Sequence, residues 1–345
     1  MPPKSRKFPL FKLPILCVEC ILLNTNAPDL IPLTFASKKC YAFVKSIRCP
    51  FNGINVYFKN KKYGVKFLPN NEEWRFNCTN YERESREIGQ VNDRRLMTCI
   101  KNNRLYSYSN QDTFQLFKFG IHYLLDLFKC PIDKCIFDLD HVSDKSEILN
   151  LGFLQCRSLN FIGNNAVMKS EMMNLISGFT AQELKIQLDI AESSDSFAPE
   201  DFKAFRQISF YKNSSRWITR DALLKFENPR VAIFDRHRLD MSDFVAFVNR
   251  WFNSTDTRFE FLTFDIVPDS VNVMESVSHL KPKPYCKKRR GPAFRVSTNQ
   301  SINCTGGWDI ERSDGLLASV HLDETMLIFY VWHERFPDLT GCHFF

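Results

Sequence analysis

Short apolar stretches alternate with helix-breaking residues in the first fifty positions, a pattern that predicts three small helices. Leu13-Pro14 begins the first helix, because proline fits a first helical turn, where its missing N–H costs little. Leu16, Cys20 and Leu23 follow at helical spacing and form one apolar stripe. The Asn-Thr-Asn sequence at 24–26 ends this helix.

Two further helices are predicted before residue 50. Ala27-Pro-Asp29 begins the second helix, and Ser37 is the predicted N-cap of the third. Pro32 lies in a first turn if the second helix starts at Asp29, and kinks that helix if it starts earlier. Three helices of this size cannot bury enough surface to be stable alone. Either a partner protein completes their core, or they dock on the rest of this chain.

The pattern changes to alternating, strand-like runs between position 51 and about position 110. Turn residues such as Asn52-Gly53 flank the runs. A helix follows, with Asp112 as its N-cap and an apolar stripe of helical period from Phe114 to Phe128. The predicted strands of this segment are Ile54–Phe58, Tyr63–Leu68, Trp74–Cys78 and Leu96–Ile100.

Strand and helix patterns then alternate at a regular spacing. Predicted strands centre near positions 137, 160, 186, 209, 233 and 262, which are 23 to 29 residues apart. A strand plus a helix about every 20–29 residues is typical of a leucine-rich-repeat arc, in which successive strands are parallel. We therefore predict a degenerate, leucine-rich-repeat-like α/β arc, with an ordinary α/β sandwich as the alternative. The helical stripes between the strands include Met168–Ile176, Ile218–Phe226 and Phe244–Trp251.

A basic segment and a β-meander are predicted after this region. Residues 281–290 contain six basic residues and two prolines. This composition favours a solvated linker, and a nuclear-import or nucleic-acid patch is the alternative. Ser313-Asp-Gly315 predicts a turn between two strands of the meander. The meander strands are predicted at Phe294–Val296, Trp308–Arg312, Leu316–Leu322 and Met326–Trp332.

Composition places the chain among folded globular proteins. Its 345 residues exceed what one ordinary core holds, and 44% are hydrophobic against 25% charged. Most of the 33 Phe residues, which carry no polar group, are expected in cores. No apolar stretch reaches the roughly 20 residues of a membrane span, and Lys12 and Glu19 interrupt the only run that resembles a signal peptide. We therefore expect reduced cysteines and a cytoplasmic or nuclear protein.

The N-terminal segment resembles the F-box family in order and spacing, although Pro32 departs from the family pattern. The resemblance rests on Phe8-Pro-Leu-Phe-Lys-Leu-Pro14, Ile21-Leu22, Pro28-Asp-Leu30, Leu33 and Ser37-Lys38. F-box proteins bind a Skp-type adaptor, which links them to a cullin–RING ubiquitin ligase. Carried over by position, the resemblance implies adaptor contacts at Leu13, Pro14, Ile21, Leu22, Pro28, Leu30, Leu33, Ser37 and Val44.

The second half resembles the F-box-associated domain, type 2, of a large and rapidly diversifying F-box family. In that family the domain follows the F-box and selects the protein to be ubiquitinated. The resemblance implies a substrate-recognition subunit of an SCF-type ubiquitin ligase, with a target protein that the sequence does not name. It rests on Trp217-Ile-Thr219, Phe244-Val245, Val248–Trp251, Asp309–Gly315 and Ile328–His333.

No catalytic motif holds up in the sequence. It contains no Gly-x-Ser-x-Gly elbow, phosphate-binding glycine loop or His-Glu-x-x-His helix. Asp138-Leu-Asp-His141 and Asp235-Arg-His-Arg238 follow predicted strands, where polar residues commonly face solvent; in the repeat arrangement they line a recognition edge. Cys17-x-x-Cys20 lacks a second Cys/His pair at a zinc spacing. We expect a non-catalytic protein with no metal, cofactor, membrane or nucleic-acid partner.

Together these patterns predict an α+β protein in five parts. Its expected role is to recruit a target protein to a ubiquitin ligase. A protein-interaction scaffold outside any ligase is the alternative, followed by an enzyme with a dispersed active site. The parts are an F-box (1–50), a small β-rich segment with a connecting helix (51–130), a repeat-like region (131–270), a basic linker (271–292) and a β-meander (293–345).

Overall fold

The structure is a computed structural model in which the chain forms two compact units. Unit 1 comprises residues 1–160 and 178–180, and unit 2 comprises residues 161–177 and 181–345. The predicted boundaries at 130 and 270 therefore do not coincide with the units. Phe8–Phe11, the start of the F-box pattern, lie outside the described residues. The described residues are 12–48, 51–70, 72–78, 87–91, 94–109, 112–142, 144–191, 197–266, 272–297, 300–323, 325–340 and 342–344.

The three predicted N-terminal helices are confirmed. They are α1 (Ile15–Leu23), α2 (Ala27–Phe35) and α3 (Lys38–Ser46). Ser37 caps α3 as predicted, because its hydroxyl accepts the N–H of Cys40 at 3.1 Å. Since α2 begins at Ala27, Pro32 lies inside the helix and not in its first turn, and it cannot donate to the carbonyl four residues earlier.

The rest of unit 1 is mostly strand. Its strands lie in the order β7-β1-β2-β3-β6-β5-β4. The four predicted strands correspond to β1, β2, β3 and β5, whereas β4 and β6 were not predicted. The elements are β1 (Gly53–Lys59), β2 (Lys62–Leu68), β3 (Glu72–Cys78), β4 (Glu87–Val91), β5 (Arg94–Lys101), β6 (Arg104–Ser109), α4 (Thr113–Phe128), β7 (Ile132–Asp138), α5 (Ser146–Leu149) and β8 (Gln155–Val167).

Helix α4 supplies much of the core of unit 1. Asp112 caps it as predicted, since its carboxylate accepts the N–H groups of Phe114 and Gln115. Its apolar stripe faces β2, β3 and β6. Phe117 and Ile121 of this stripe are buried there, and the Phe117 ring meets Phe76 of β3 at a centroid distance of 5.6 Å.

Unit 2 begins within β8 and alternates strands with helices before ending in strands. The predicted strands near 186, 209, 233 and 262 and the three predicted helices are confirmed. The elements are α6 (Lys169–Ser177), β9 (Thr180–Ile190), β10 (Gln207–Tyr211), α7 (Arg220–Lys225), β11 (Arg230–Ile233), α8 (Met241–Phe252), β12 (Phe261–Asp265), α9 (Val273–Ser276), β13 (Lys283–Pro284), β14 (Ala293–Ser297), β15 (Gln300–Asn303), β16 (Trp308–Glu311), β17 (Leu317–Asp323), β18 (Met326–Val331) and β19 (His343–Phe344).

The strands β9, β10, β11 and β12 are parallel neighbours, as the spacing predicted. Strand β18 continues this sheet by pairing antiparallel with β12, and β17 and β16 follow it as a meander. Gly315, with a φ of +85°, lies in the predicted turn between β16 and β17. Strand β14 departs from the prediction, because it pairs with β15 in a separate sheet. Its Phe294 ring covers Phe261 and Tyr330.

The basic segment is not a wholly solvated linker. Arg290 is fully buried, and its Nε donates to Asp309 at 2.6 Å. Arg289 reaches the same carboxylate at 2.8 Å. A buried carboxylate needs a cationic partner, and that requirement draws the end of the run into the core of unit 2. Within the described part of the chain, no helix has both the length and the apolar character needed to cross a bilayer.

Candidate protein-interaction sites

Helix α1 is apolar on two opposite faces. Val18 and Leu22, one turn apart, are each 1% exposed and belong to the core of unit 1. On the opposite face Leu16 is 74% exposed and Leu23 is 38% exposed, with the exposed Cys20 between them. This outward set is the stripe predicted from the sequence. Exposed apolar patches of this kind commonly mark contacts with another protein.

The exposed apolar surface continues to both sides of the stripe. Ile15 is 67% exposed and Ile21 is 41% exposed, and Pro14 is also exposed. The carbonyl of Pro14 accepts the N–H groups of Cys17 and Val18, which fixes the start of the helix. We define the α1 outer face by residues that share this exposure: Pro14, Ile15, Leu16, Cys20, Ile21 and Leu23.

The predicted adaptor contacts divide into two groups. Pro14, Ile21 and Ser37 are exposed, and Leu13 and Leu33 are half-buried. The remaining four are buried in this chain and are not available to a partner. Helix α2 packs on β3, and α3 packs on α4. The sequence had left that docking open as an alternative. The four core residues are Leu22, Pro28, Leu30 and Val44.

Polar contacts fix α2 and α3 on unit 1. The N–H of Ala27 donates to the Glu72 carboxylate at 2.7 Å in a buried position. Asp126 of α4 accepts from the Tyr41 hydroxyl and from Lys45 Nζ. The hydrogen bond from Lys45, supported by that from Tyr41, lowers the pKa of Asp126. These contacts hold α2 and α3 at defined positions in unit 1.

Two parallel strands of unit 2, β10 and β11, are each followed by a residue with a left-handed backbone conformation. In both cases the N–H of that residue donates to an aspartate at the end of the neighbouring strand. Lys212 follows β10 with a φ of 58°, and Asp235 follows β11 with a φ of 59°. The N–H of Lys212 donates to Asp235 Oδ2 at 2.9 Å, and the N–H of Asp235 donates to Asp265 Oδ2 at 3.2 Å. Each carboxylate lies at the end of the strand that pairs with the one it restrains. Strands β10 and β11 therefore end at nearly the same height in the sheet.

An open cleft of about 480 Å³ lies at this end of the strands. Lys212 crosses toward β8, where its Nζ donates to the Gly163 carbonyl at 2.9 Å and to Asn164 Oδ1 at 2.8 Å. Open parallel sheets commonly bind ligands at the carboxyl ends of their strands. The cleft is therefore a candidate recognition site. Its lining residues are Asn164, Asp189, Lys212, Asp235 and Arg236.

An aromatic pair adjoins the cleft, at the last residue of β10 and the residue after β11. The rings of Tyr211 and Phe234 stack at a centroid distance of 4.7 Å, and both are half-buried. Lys185 Nζ lies 4.2 Å from the Tyr211 ring centroid, within cation–π range. Burial raises the pKa of Tyr211, so its hydroxyl keeps its proton at neutral pH. The pair therefore offers half-buried aromatic surface beside the charged residues of the cleft.

The Asp235–Arg238 motif is only partly a surface feature. His237 Nδ1 accepts the N–H of Leu239 at 3.1 Å, so the ring proton is on Nε2, which donates to Asp265 at 2.8 Å. The His237 side chain is almost entirely buried. It positions the loop, while Asp235 and Arg236 line the cleft.

The Asp138–His141 motif of unit 1 does not face solvent in the way that the sequence suggested. Asp138 is 4% exposed. Its carboxylate accepts the N–H groups of Asn60 and Asp140 and a hydrogen bond from His141 Nδ1 at 2.8 Å. Asn60, which follows β1, has a φ of 52°. The end of β1 is thus fixed by a carboxylate at the end of β7, in the same way as the ends of β10 and β11 are fixed in unit 2.

Sequence reasoning missed three residues of the cleft, Asn164, Asp189 and Lys212. For the two charged ones the sequence carries a signal, because Asp189, Lys212 and Asp235 follow one another at intervals of 23 residues (212 − 189 and 235 − 212). This interval matches the repeat spacing, and Lys212 and Asp235 occupy equivalent positions after β10 and β11. Because the three charges lie in different strands and loops, no motif within a single loop reveals them.

Comparisons with known proteins give relatives but no family. No family model and no solved structure matches the chain. Two proteins of Caenorhabditis elegans are similar to it. Uncharacterized protein F59B2.8 is 24% identical over 365 residues, covering 97% of this chain and 80% of that protein. Uncharacterized protein F59B2.9 is 29% identical over 193 residues, covering 53% of this chain and 43% of that protein.

Proposed function

We propose that this chain is a non-catalytic substrate-recognition subunit of an SCF-type ubiquitin ligase. In this role the N-terminal helices bind a Skp-type adaptor, and unit 2 binds the protein to be ubiquitinated. The chain itself performs no chemistry. It raises the effective concentration of the target near a ubiquitin-charged enzyme, which accelerates transfer by proximity.

The observation that carries the proposal is the α1 outer face. A short helix that buried one apolar face against its own chain would normally be polar on the other. Here Leu16, Ile21 and Leu23 remain exposed on a helix whose inner residues are already sealed. A partner that covers these side chains removes apolar surface from water, and this contributes favourable free energy to binding.

The proposed contact set differs from the set implied by resemblance. It keeps the exposed Pro14 and Ile21 and the half-buried Leu13, and it adds Leu16 and Leu23. It omits the four core residues, because their side chains cannot reach a partner while the helices stay docked. The adaptor then contacts mainly one helix and the turn that precedes it.

Unit 2 fits the role of the target-binding region. Its parallel strands β9 to β12 are flanked by loops at both strand ends, and the interiors of β10, β11 and β12 are buried. Repeat-like sheets of this kind present broad surfaces in which loop residues change without loss of the fold. This is the property that a subunit selecting different target proteins requires.

The test is capture of the full-length chain by a purified Skp-type adaptor. Leu16→Asp with Ile21→Asp alters two exposed side chains and leaves the core intact. Burying a fully exposed side chain of this size contributes about 1.5–3 kcal/mol. Because Leu16 is 74% exposed and Ile21 is 41% exposed, losing both contacts predicts at least roughly tenfold weaker binding. Surface plasmon resonance with immobilised adaptor measures the change.

Ile100→Asp with Leu154→Asp is the matched control, because those side chains are 47% and 45% exposed outside the N-terminal helices. Leu30→Asp is unsuitable, since Leu30 is fully buried and the change would disrupt unit 1. Adaptor binding that survives in the α1 double variant would contradict the assigned surface. No binding by the unaltered chain would favour a protein-interaction scaffold outside any ligase.

A further inference from the structure

Helix α1 carries two exposed thiols that the proposed adaptor contact does not use. Of the ten cysteines in the described part of the chain, Cys17 and Cys20 are the exposed ones. They lie three residues apart, so both side chains project from the same side of the helix. The Asn24 side-chain amide donates to the Cys20 carbonyl at 2.8 Å and to Cys20 Sγ at 3.9 Å. The pair is therefore accessible to a reagent in solution without any opening of unit 1.

The spacing of the two cysteines suits a disulfide, provided that the helical turn between them tightens. Residues three apart in an α-helix have Cα atoms about 5 Å apart, inside the range of about 4.4–6.8 Å found across disulfides. Their Cβ atoms lie about 5–6 Å apart, whereas a disulfide requires about 3.5–4.5 Å. A change from α-helical to 3₁₀ winding closes this gap, because side chains three residues apart eclipse in a 3₁₀-helix.

Helix α1 is weakly held in the α-helical form. It has nine residues, no side-chain hydrogen bond from its N-cap, no acidic residue in its first turn and no basic residue in its last turn. Both of its ends already contain hydrogen bonds of the 3₁₀ type. The N–H of Cys17 donates to the Pro14 carbonyl at 2.9 Å, and the N–H of Thr25 donates to the Leu22 carbonyl at 3.1 Å. Helices this short are marginal by themselves, so one turn can be rewound at small local cost.

We infer that Cys17 and Cys20 form a redox-sensitive dithiol that controls the α1 outer face. This inference rests on the proposed function and adds a regulation of the same site. The oxidant is a peroxide. The thiolate of one cysteine attacks a peroxide oxygen, breaks the O–O bond and becomes a sulfenic acid as one water leaves. The thiol of the other cysteine then displaces a second water, and the S–S bond forms. Hydrogen peroxide takes up two electrons from the two sulfurs, and the two thiol protons leave in the two water molecules.

Closure of the disulfide divides the α1 outer face. Winding at about 120° per residue in place of about 100°, over the three steps from Cys17 to Cys20, turns the residues before the pair by about 60° relative to those after it. Leu16 then no longer lies in line with Ile21. Because Leu22 is sealed in the core of unit 1, the second half of the helix stays in place and the first half moves. The main cost of closure is the repacking of the buried Val18, which lies inside the tightened turn.

The chemistry is tested on the full-length chain treated with hydrogen peroxide. Remaining thiols are blocked with N-ethylmaleimide, and the chain is digested with trypsin without reduction. One tryptic peptide, residues 13–38, contains both thiols and no internal Lys or Arg. We expect this peptide to become two hydrogen atoms lighter and to regain them with dithiothreitol. An unchanged peptide, one that gains oxygen atoms, or one cross-linked to a second chain would overturn the inference.

Adaptor binding tests the consequence of closure. The oxidised chain should bind the immobilised adaptor at least roughly tenfold more weakly, as when Leu16 and Ile21 are replaced, and dithiothreitol should restore binding. Cys17→Ser lies outside the proposed contact set, so its binding should be normal before and after peroxide. Cys286→Ser is the matched control, because Cys286 is half-buried in unit 2 and this variant should keep the response to peroxide. Equal adaptor affinity of the oxidised and reduced chains would overturn the switch.

Hydrogen exchange separates this inference from the proposed function. If the adaptor does not bind the reduced chain, the ligase role falls and the amides of α1 decide the dithiol. Faster exchange in the oxidised chain, absent from Cys17→Ser, would support the rewound turn, because the regular hydrogen bonds of that turn are lost. Unchanged exchange would overturn it. If the adaptor binds and no disulfide forms, the ligase role stands and the dithiol assignment falls.

Discussion

The buried ion pair of unit 2 allows a stability prediction in depth. Asp309 accepts hydrogen bonds from Arg290 at 2.6 Å, Arg289 at 2.8 Å and Ser319 at 2.7 Å. Arg290 is enclosed between the rings of Tyr285 and Trp332, at 4.7 and 4.8 Å from their centroids. Asp309→Ala removes the only carboxylate that Arg290 contacts in the described residues.

The expected magnitude follows from what the substitution leaves behind. Removing one partner of a buried pair costs about 3–5 kcal/mol, because the other charge stays buried without compensation. Arg290→Met should cost less, about 1–3 kcal/mol, since Asp309 keeps its bonds from Arg289 and Ser319. The double variant should cost less than the sum of the two, because the isolated charge that makes each single change harmful is absent.

Urea unfolding followed by tryptophan fluorescence measures these differences, and Trp332 lies within the network. Hydrogen exchange at the backbone amides of β16 and β17 shows whether the loss is local to unit 2. Two results would refute the reasoning. One is a loss below about 1 kcal/mol for Asp309→Ala, and the other is full additivity in the double variant.

Two further predictions concern packing and pH. Gly120→Ala should destabilise unit 1 by about 1–3 kcal/mol, although alanine is the better helix former. The reason is that the added Cβ would overlap the Phe76 ring, which is itself buried against Trp74 and Phe117. A higher midpoint of thermal unfolding would contradict this. Burial lowers the pKa of His321 below its usual value near 6.5, only partly offset by Asp323. As the pH falls below about 6.5, His321 is protonated more readily in the unfolded chain than in the folded chain. The free energy of unfolding therefore declines. His321→Gln should reduce that decline between pH 7.5 and 5.5, and an NMR titration midpoint of His321 at or above 6.5 would exclude it.

The regular part of the fold was predictable because its signals are local. The strands β9 to β12 and helix α8 follow from apolar periodicity, and the caps at Ser37 and Asp112 follow from residue type and position. These features depend on residues within a few positions of each other. Their accuracy therefore did not require knowledge of the tertiary structure.

The missed features depend on distant partners. Strand β6 was not predicted because the buried Ser107 interrupts its apolar pattern, and that burial relies on a hydrogen bond from Trp74, 33 residues away. Arg290 looked solvated because Asp309, its partner, lies 19 residues later. The stripe on α1 was predicted, but the burial of its other apolar face, at Val18 and Leu22, depends on tertiary packing.

The carboxylate-held strand ends affect how this chain tolerates change. Lys212 and Asp235 adopt a backbone conformation that usually calls for glycine, yet both carry long or charged side chains. An aspartate at the end of the adjacent strand restrains the backbone at each bend. A residue other than glycine can therefore occupy the bend. A substitution at position 212 can therefore change the side chain at this edge while the carboxylates of Asp235 and Asp265 keep the two strand ends in register. Asp235 has both tasks, because it makes one bend and its carboxylate holds the other.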